Sequence, residues 1–144
     1  MSNNSRRDTL SGINEATRSV FSCPSPSLGI DIDGCVDEAP IFFQILTRVW
    51  LGKVFVVLFR NDRAKAEADL KKRDIRFDEL ILVDSLEAKA KVIAREGILV
   101  FFDDQPECLK HMDSMWNVML VRNGGNFDFK DKRWVFSEMT GKLV

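Results

Sequence analysis

The chain has 144 residues, with 21 basic and 22 acidic side chains that give a formal net charge of -1. This length predicts one domain with a sizeable core, and the balanced charge excludes a general electrostatic attraction to nucleic acid or membranes. The three cysteines, Cys23, Cys35 and Cys108, have neither zinc-ligand spacing nor an even count. We therefore expect free thiols in a reducing compartment, most simply the cytoplasm. The sequence has no run of about 18 apolar residues, so we expect no membrane span.

The amino-terminal stretch and the rest of the chain differ in pattern. Residues 1–27 are rich in Ser, Asn and Arg, contain Pro24 and Pro26, and predict a flexible tail or a loosely docked arm. Residues 28–144 are then expected to form a single domain. Apolar runs predict strands at 28–32, 54–59, 79–83, 98–102 and 118–121.

Helical patterns separate these strands. We predict helices at 40–50, from a cap at Asn61 or Asp62 to 73, between a Ser85 cap and Gly97, and at 106–114. In the first helix, Ile41, Ile45 and Val49 fall at helical spacing, as do Phe42 and Leu46. Residues 126–144, after a Gly124–Gly125 turn, predict a hairpin or an extra edge strand. The alternation predicts an α/β fold with a doubly wound, mainly parallel five-stranded Rossmann-like sheet.

Two of the predicted strands end in acidic clusters. Asp31 and Asp33 follow the first apolar run, and Asp103 and Asp104 follow the fourth. Parallel strands would bring these carboxylates to the carboxyl edge of one sheet, where open α/β folds bind ligands. Carboxylates crowded there repel one another unless a cation joins them, and magnesium, Mg2+, prefers such oxygen ligands. Taken singly, either acidic pair could instead cap a helix.

The ordered motifs resemble those of the haloacid dehalogenase-like (HAD) superfamily. Asp31-Ile32-Asp33-Gly34-Cys35-Val36 resembles its first motif and Phe102-Asp103-Asp104 its fourth, while Lys89 or Lys91 matches the lysine expected between them. The resemblance covers roughly residues 28–121. It implies a HAD-like fold and a phosphotransfer mechanism.

The same resemblance implies a role for each residue. Asp31 would be the nucleophile that forms an aspartyl-phosphate, and Asp33 would serve as general acid and then general base. Lys89, with Lys91 as the alternate, would neutralise charge on the nucleophile and the phosphoryl group. The metal ligands would be the Asp31 carboxylate, the backbone carbonyl of Asp33, and Asp104, with Asp103 beside it.

One motif departs from the family pattern. The family places a Ser or Thr at the end of the second strand to bind a phosphate oxygen, but this strand ends Leu58-Phe59-Arg60-Asn61. Arg60 or Asn61 would then replace that donor, and an arginine fork suits phosphate well. The alternative is that phosphate is no longer turned over.

The spacing of the motifs leaves no room for a cap domain. An open site accepts a large phosphorylated substrate, such as a nucleotide, a nucleic-acid end or a phosphoprotein, or it gains a lid from a partner subunit in a homo-oligomer. The closest resemblance is to 5′-nucleotidase-like and polynucleotide-phosphatase-like members. The sequence thus predicts a magnesium-dependent phosphomonoester hydrolase, and the alternative is a catalytically silent HAD-like domain that binds metal, phosphate or a protein. A receiver-type phosphoacceptor domain is disfavoured, because its motifs would follow a different order.

Overall fold

The structure is a computed structural model, and it describes residues 25–122 and 127–134. Most of the predicted amino-terminal tail, Cys23, the Gly124–Gly125 turn and residues 135–144 lie outside these ranges. The elements in chain order are β1 (Ser27–Ile30), α1 (Pro40–Val49), β2 (Val54–Phe59), α2 (Arg63–Lys72), β3 (Glu79–Val83), α3 (Leu86–Arg95), β4 (Ile98–Asp103), a short helix (Pro106–His111), β5 (Asn117–Leu120), β6 (Phe127–Asp128) and β7 (Arg133–Trp134).

The first five strands form one sheet in the order β3-β2-β1-β4-β5, and every neighbouring pair is parallel. This confirms the predicted Rossmann-like α/β fold, and the described residues include no additional cap domain. None of the described helices is both long and apolar enough to cross a membrane.

Helices α1 and α2, from the first two connections, cover one face of the sheet, and α3, from the third connection, covers the other. The core on one face includes Val54 and Val56 of β2 with residues of α1 and α2, and the core on the other face includes Phe55 and Val57 with residues of α3. The residues of β2 are divided between the two faces because successive side chains of a strand point to opposite sides of the sheet. The chain crosses from one face to the other between β3 and β4, which makes the sheet doubly wound, and the loops that follow the neighbouring strands β1 and β4 meet at the carboxyl edge.

The element bounds differ most from the predictions at β1, at the short helix, which ends at His111 rather than at residue 114, and at the carboxyl terminus. β1 ends at Ile30 rather than at residue 32, because Asp31 caps a short helical turn at Ile32–Val36, in which Gly34 adopts a positive φ of 70°. Ser27, which was assigned to the tail, already belongs to β1. β6 and β7 form a separate antiparallel pair, so within the described residues this region is a hairpin and not an extra edge strand.

Local signals account for the helix ends. The side chain of Asp62 accepts a hydrogen bond from the Lys65 amide, and Ser85 does the same for Ala88, as expected of N-cap residues. Gly97 follows α3 with a φ of 62°. The caps and the glycine together set the length of α3, which presents Lys89 to the sheet.

Candidate active site

Two acidic side chains are brought together because β1 and β4 are neighbours in the sheet. Ile30 pairs with Phe102, and the next backbone amide, that of Asp31, donates to the Phe102 carbonyl at 3.0 Å. Asp31 is 6% exposed and Asp103 is completely buried. The carboxyl edge of the sheet therefore holds two buried carboxylates side by side, as the sequence predicted.

Lys89 joins these carboxylates from α3. Its Nζ donates to Asp31 Oδ2 and to Asp103 Oδ2, both at 2.8 Å, and the side chain is 1% exposed. Burial alone would lower the pKa of Lys89, but the charges of Asp31 and Asp103 outweigh it and raise the pKa above its usual value. The ammonium therefore stays charged at physiological pH.

Lys91 does not reach the site. It lies two residues further along α3, about 200° around the helix, and its side chain is exposed. Its Nζ pairs with Glu87 at 2.6 Å instead. Of the two lysines that the sequence left open, the structure brings only Lys89 to the carboxylates.

The remaining oxygens of the two buried carboxylates accept backbone hydrogen bonds. Asp31 Oδ1 accepts from the Ile32 amide at 2.7 Å, and Asp103 Oδ1 accepts from the Gln105 amide at 3.0 Å. Burial raises the pKa of Asp31 to about 6 even though Lys89 acts in the opposite direction. Both side chains are thus fixed in one orientation, and Asp31 is mainly ionised at neutral pH.

Asp104 supplies a third carboxylate. Oxygen atoms of Asp31, Asp103 and Asp104 all lie within 4.8 Å of one another. Burial, together with repulsion from the other two, raises the pKa of Asp104 to about 8. Gly34 makes room for this side chain, since a Cβ at position 34 would overlap the Asp104 carboxylate.

The charges of this cluster fit a divalent cation. Three carboxylates and one ammonium leave two negative charges when all groups are ionised. A hard cation such as Mg2+ takes one or two carboxylates and keeps several waters, so it matches both the oxygen donors and the missing charge. Asp104, which is only partly buried, offers the side of the cluster that water reaches.

Asp33 is held in a separate ion-pair network. Arg60 Nε and Nη2 donate to the two oxygens of Asp33 at 2.7 Å and 2.5 Å, and Arg60 Nη1 donates to Asp69 at 2.7 Å. These hydrogen bonds raise the pKa of Arg60 above its usual value. The fork predicted as a phosphate donor is therefore engaged by two carboxylates.

Arg60 and Asn61 also line a groove between the ends of β2 and β3 and helix α3. The groove has a volume of about 710 Å³, and neither Asp31 nor Lys89 contributes to its lining. Asn61 is exposed at this edge, and no hydrogen bond joins it to the carboxylate cluster. The structure thus places the two predicted substrate-binding residues of β2 beside the cluster rather than in it.

No family model, no curated protein and no solved structure matches this chain. The likeness to the HAD-like superfamily therefore depends on the resemblance of the motifs alone.

Sequence reasoning missed two residues that support the site. Arg122 donates through Nη1 to the carbonyl of Asp104 and so anchors the loop after β4. Asp69, on α2, shares the Arg60 guanidinium with Asp33. Neither lies in a motif, and their contacts depend on segments that are distant in sequence. The one indirect signal in the sequence is that Asp69 lies on the helix that follows the second strand, and therefore near Arg60.

Proposed function

We propose that this protein is a magnesium-dependent phosphomonoester hydrolase of the HAD-like type, with Asp31 as the nucleophile. The observation that carries the proposal is the buried network in which Lys89 donates to both Asp31 and Asp103. Such a network is a poor way to gain stability, because the desolvation of the ions offsets much of their attraction. Its position at the carboxyl edge of a parallel sheet, with Asp104 alongside, supports a role in chemistry.

Asp31 can act in two steps. An oxygen of the ionised carboxylate attacks phosphorus, the bond to the leaving oxygen breaks, and an aspartyl-phosphate forms on Asp31. Water then attacks phosphorus, the bond to Asp31 breaks, and inorganic phosphate leaves with the carboxylate restored. Lys89 holds Asp31 in place and offsets the negative charge that a phosphoryl group brings.

Asp33 is the proposed proton carrier. It gives a proton to the leaving alcohol in the first step and takes one from the attacking water in the second. In the structure Arg60 donates hydrogen bonds to both carboxylate oxygens of Asp33. For Asp33 to carry a proton, this contact must loosen when substrate binds, and a shift of Arg60 toward the phosphate would loosen it.

The cation would be held by Asp31, Asp104 and the backbone carbonyl of Asp33. When bound, it would supply positive charge to the phosphoryl oxygens. Gly34 supports this arrangement, since its lack of a side chain leaves the space that Asp104 occupies. Without a cap domain among the described residues, the substrate is proposed to be large: a nucleotide, a nucleic-acid end or a phosphoprotein.

A second candidate is a catalytically silent domain that binds metal, phosphate or a protein. Two observations favour it: β2 ends without a hydroxyl side chain, and Asp33 is bound by Arg60. The strand ends with a buried Leu58 and an exposed Phe59, neither of which has a hydroxyl, and Asp33 is clamped by Arg60. Both features would be acceptable in a domain that no longer turns over phosphate.

The test is release of inorganic phosphate from an aryl phosphate and a panel of nucleotides, with and without Mg2+. We expect magnesium-dependent release from the parent and none from Asp31→Asn, with both proteins folded. Asp113→Asn, at an exposed aspartate outside the site, is the matched control and should stay active.

Two other outcomes are informative. If no substrate is hydrolysed but Mg2+ raises the melting temperature of the parent, the silent binding domain is favoured. If Asp31→Asn keeps full activity, Asp31 is not the nucleophile and the proposal fails.

A further inference from the structure

Helix α1 turns a row of large apolar side chains toward solvent. Ile41, Ile45 and Val49 are 71%, 57% and 65% exposed, Phe42 is 50% exposed, and Leu51, just after the helix, is 73% exposed. We call these five residues the α1 apolar face. Ile41, Ile45 and Val49 have the helical spacing noted in the sequence, but they form the exposed side of the helix. The buried residues of the helix are Phe43 and Thr47.

This arrangement is unusual for a surface helix. An amphipathic helix normally packs its apolar stripe on the core and exposes its polar side. Single exposed apolar side chains are common and need no explanation, but a contiguous row marks a contact surface. We therefore expect another segment of the chain or another molecule to cover the α1 apolar face.

The path of the chain indicates which occupant is nearest. Trp50, directly after α1, donates from Nε1 to the Pro26 carbonyl at 2.8 Å. Gly52 lies against the carbonyls of Ser25 and Pro26, where a Cβ would overlap the backbone. Ser25 and Pro26 therefore lie at the carboxyl-terminal end of α1, so the segment 1–24 is tethered to this end of the helix.

Residues 1–24 are long enough and apolar enough to cover the face. The distance from Ile41 to Val49 along the helix is about 12 Å, whereas a random coil of this length reaches about 25 Å. A tethered segment has an effective concentration near the millimolar range, which favours it over a second copy of the chain at micromolar concentration. Beyond Met1, the segment contains four large apolar residues, Leu10, Ile13, Val20 and Phe21.

We propose that residues 1–24 dock within the same molecule on the α1 apolar face, with those four side chains as the anchors. The proposal is independent of the proposed function. It also places the docked segment against Phe42, whose ring contacts that of Phe102 at a centroid distance of 5.9 Å. Phe102 is the residue before Asp103, so the segment would pack close to the strand that supplies the site.

The first experiment is photo-crosslinking of the full chain with p-benzoylphenylalanine in place of Phe42 or Ile45. Mass spectrometry of a mixture of isotopically heavy and light protein separates crosslinks within one molecule from crosslinks between two. We expect crosslinks within one molecule to residues 1–24. Crosslinks between heavy and light chains would overturn the proposal and favour a dimer formed through α1.

The second experiment compares melting temperatures. Ile45→Gln and Ile13→Gln should each lower the melting temperature by a few degrees, and the double variant should lose little more than the larger single effect. Met115→Gln, at a side chain 63% exposed outside this face, is the control and should leave the melting temperature unchanged. If Ile45→Gln behaves like the control and no crosslink forms, the face is bare and the proposal is wrong.

Discussion

The two acidic clusters look alike in sequence but are compensated in different ways. In each, one carboxylate is buried and bound to Lys89: Asp31 in the first cluster and Asp103 in the second. The second carboxylate of each cluster is in a different environment. Asp33 is paired with Arg60, whereas burial and repulsion from the other carboxylates raise the pKa of Asp104 to about 8. The protein supplies a second cation, Arg60, to the first cluster and leaves the second cluster short of positive charge.

The largest expected effect comes from removing the shared cation. Lys89→Met leaves Asp31 and Asp103 buried without a partner, which should cost about 3–5 kcal/mol of unfolding free energy and abolish phosphate release. Denaturant unfolding measures the loss. The matched control is Lys91→Met, two residues away, whose exposed pairing with Glu87 predicts a stability and activity close to the parent. Equal effects of the two substitutions would contradict the role assigned to Lys89.

The next largest effect is expected at Arg60, which pairs with Asp33 in the first cluster. Arg60→Ala removes charged hydrogen bonds to Asp33 and should cost about 1–3 kcal/mol of unfolding free energy. If Arg60 also binds phosphate, Arg60→Ala should weaken vanadate binding, while Asp33→Asn should strengthen it by loosening the hold on the guanidinium. Vanadate titration by calorimetry checks both. Unchanged binding in the two variants would show that Arg60 serves only to position Asp33.

A smaller effect is expected at the glycine beside Asp104. Gly34→Ala must accept a positive φ and a collision with the Asp104 carboxylate, whereas Gly97→Ala has the same backbone strain and open space around its Cβ. The difference between the two variants should be about 1–2 kcal/mol of unfolding free energy. Gly34→Ala should also reduce the rise in melting temperature caused by Mg2+, and Gly97→Ala should not.

The last expected effect is a dependence of stability on pH, which is spread over the range from about pH 4 to about pH 8. The pKa of Asp31 is raised to about 6 and that of Asp104 to about 8 in the folded protein, so folding favours their protonated forms. This contribution to stability is complete below the usual aspartate pKa of about 4 and is lost as pH rises toward about 8.

Mg2+ should offset that loss by stabilising the ionised carboxylates. The gap between the melting temperatures with Mg2+ and with a chelator should therefore widen from about pH 5 to about pH 8. Asp104→Asn should narrow the gap at the upper end. A gap that stays constant with pH would argue against metal binding by these carboxylates.

Much of the fold could be predicted from local signals. The apolar run Val54–Phe59 and the run Glu79–Val83 form strands with the predicted bounds, and the Ser85 cap and Gly97 frame α3 as expected. The prediction was less accurate after β1, where the strand ends at Ile30. The reason is that the turn through Asp33 and Gly34 is stabilised by contacts with Asp104 and Arg60, which are far away in sequence.

For the site, the sequence by itself determined the chemical groups: the acidic pairs at two strand ends, a lysine on the intervening helix, and an arginine where a hydroxyl was expected. Only the tertiary structure decided how they are used. It turned Lys89 inward and Lys91 outward, engaged Arg60 with Asp33 and Asp69, and left the α1 apolar face exposed. The physical reason is that composition and period specify what a residue can do, while burial and charge compensation depend on neighbours that only folding brings together.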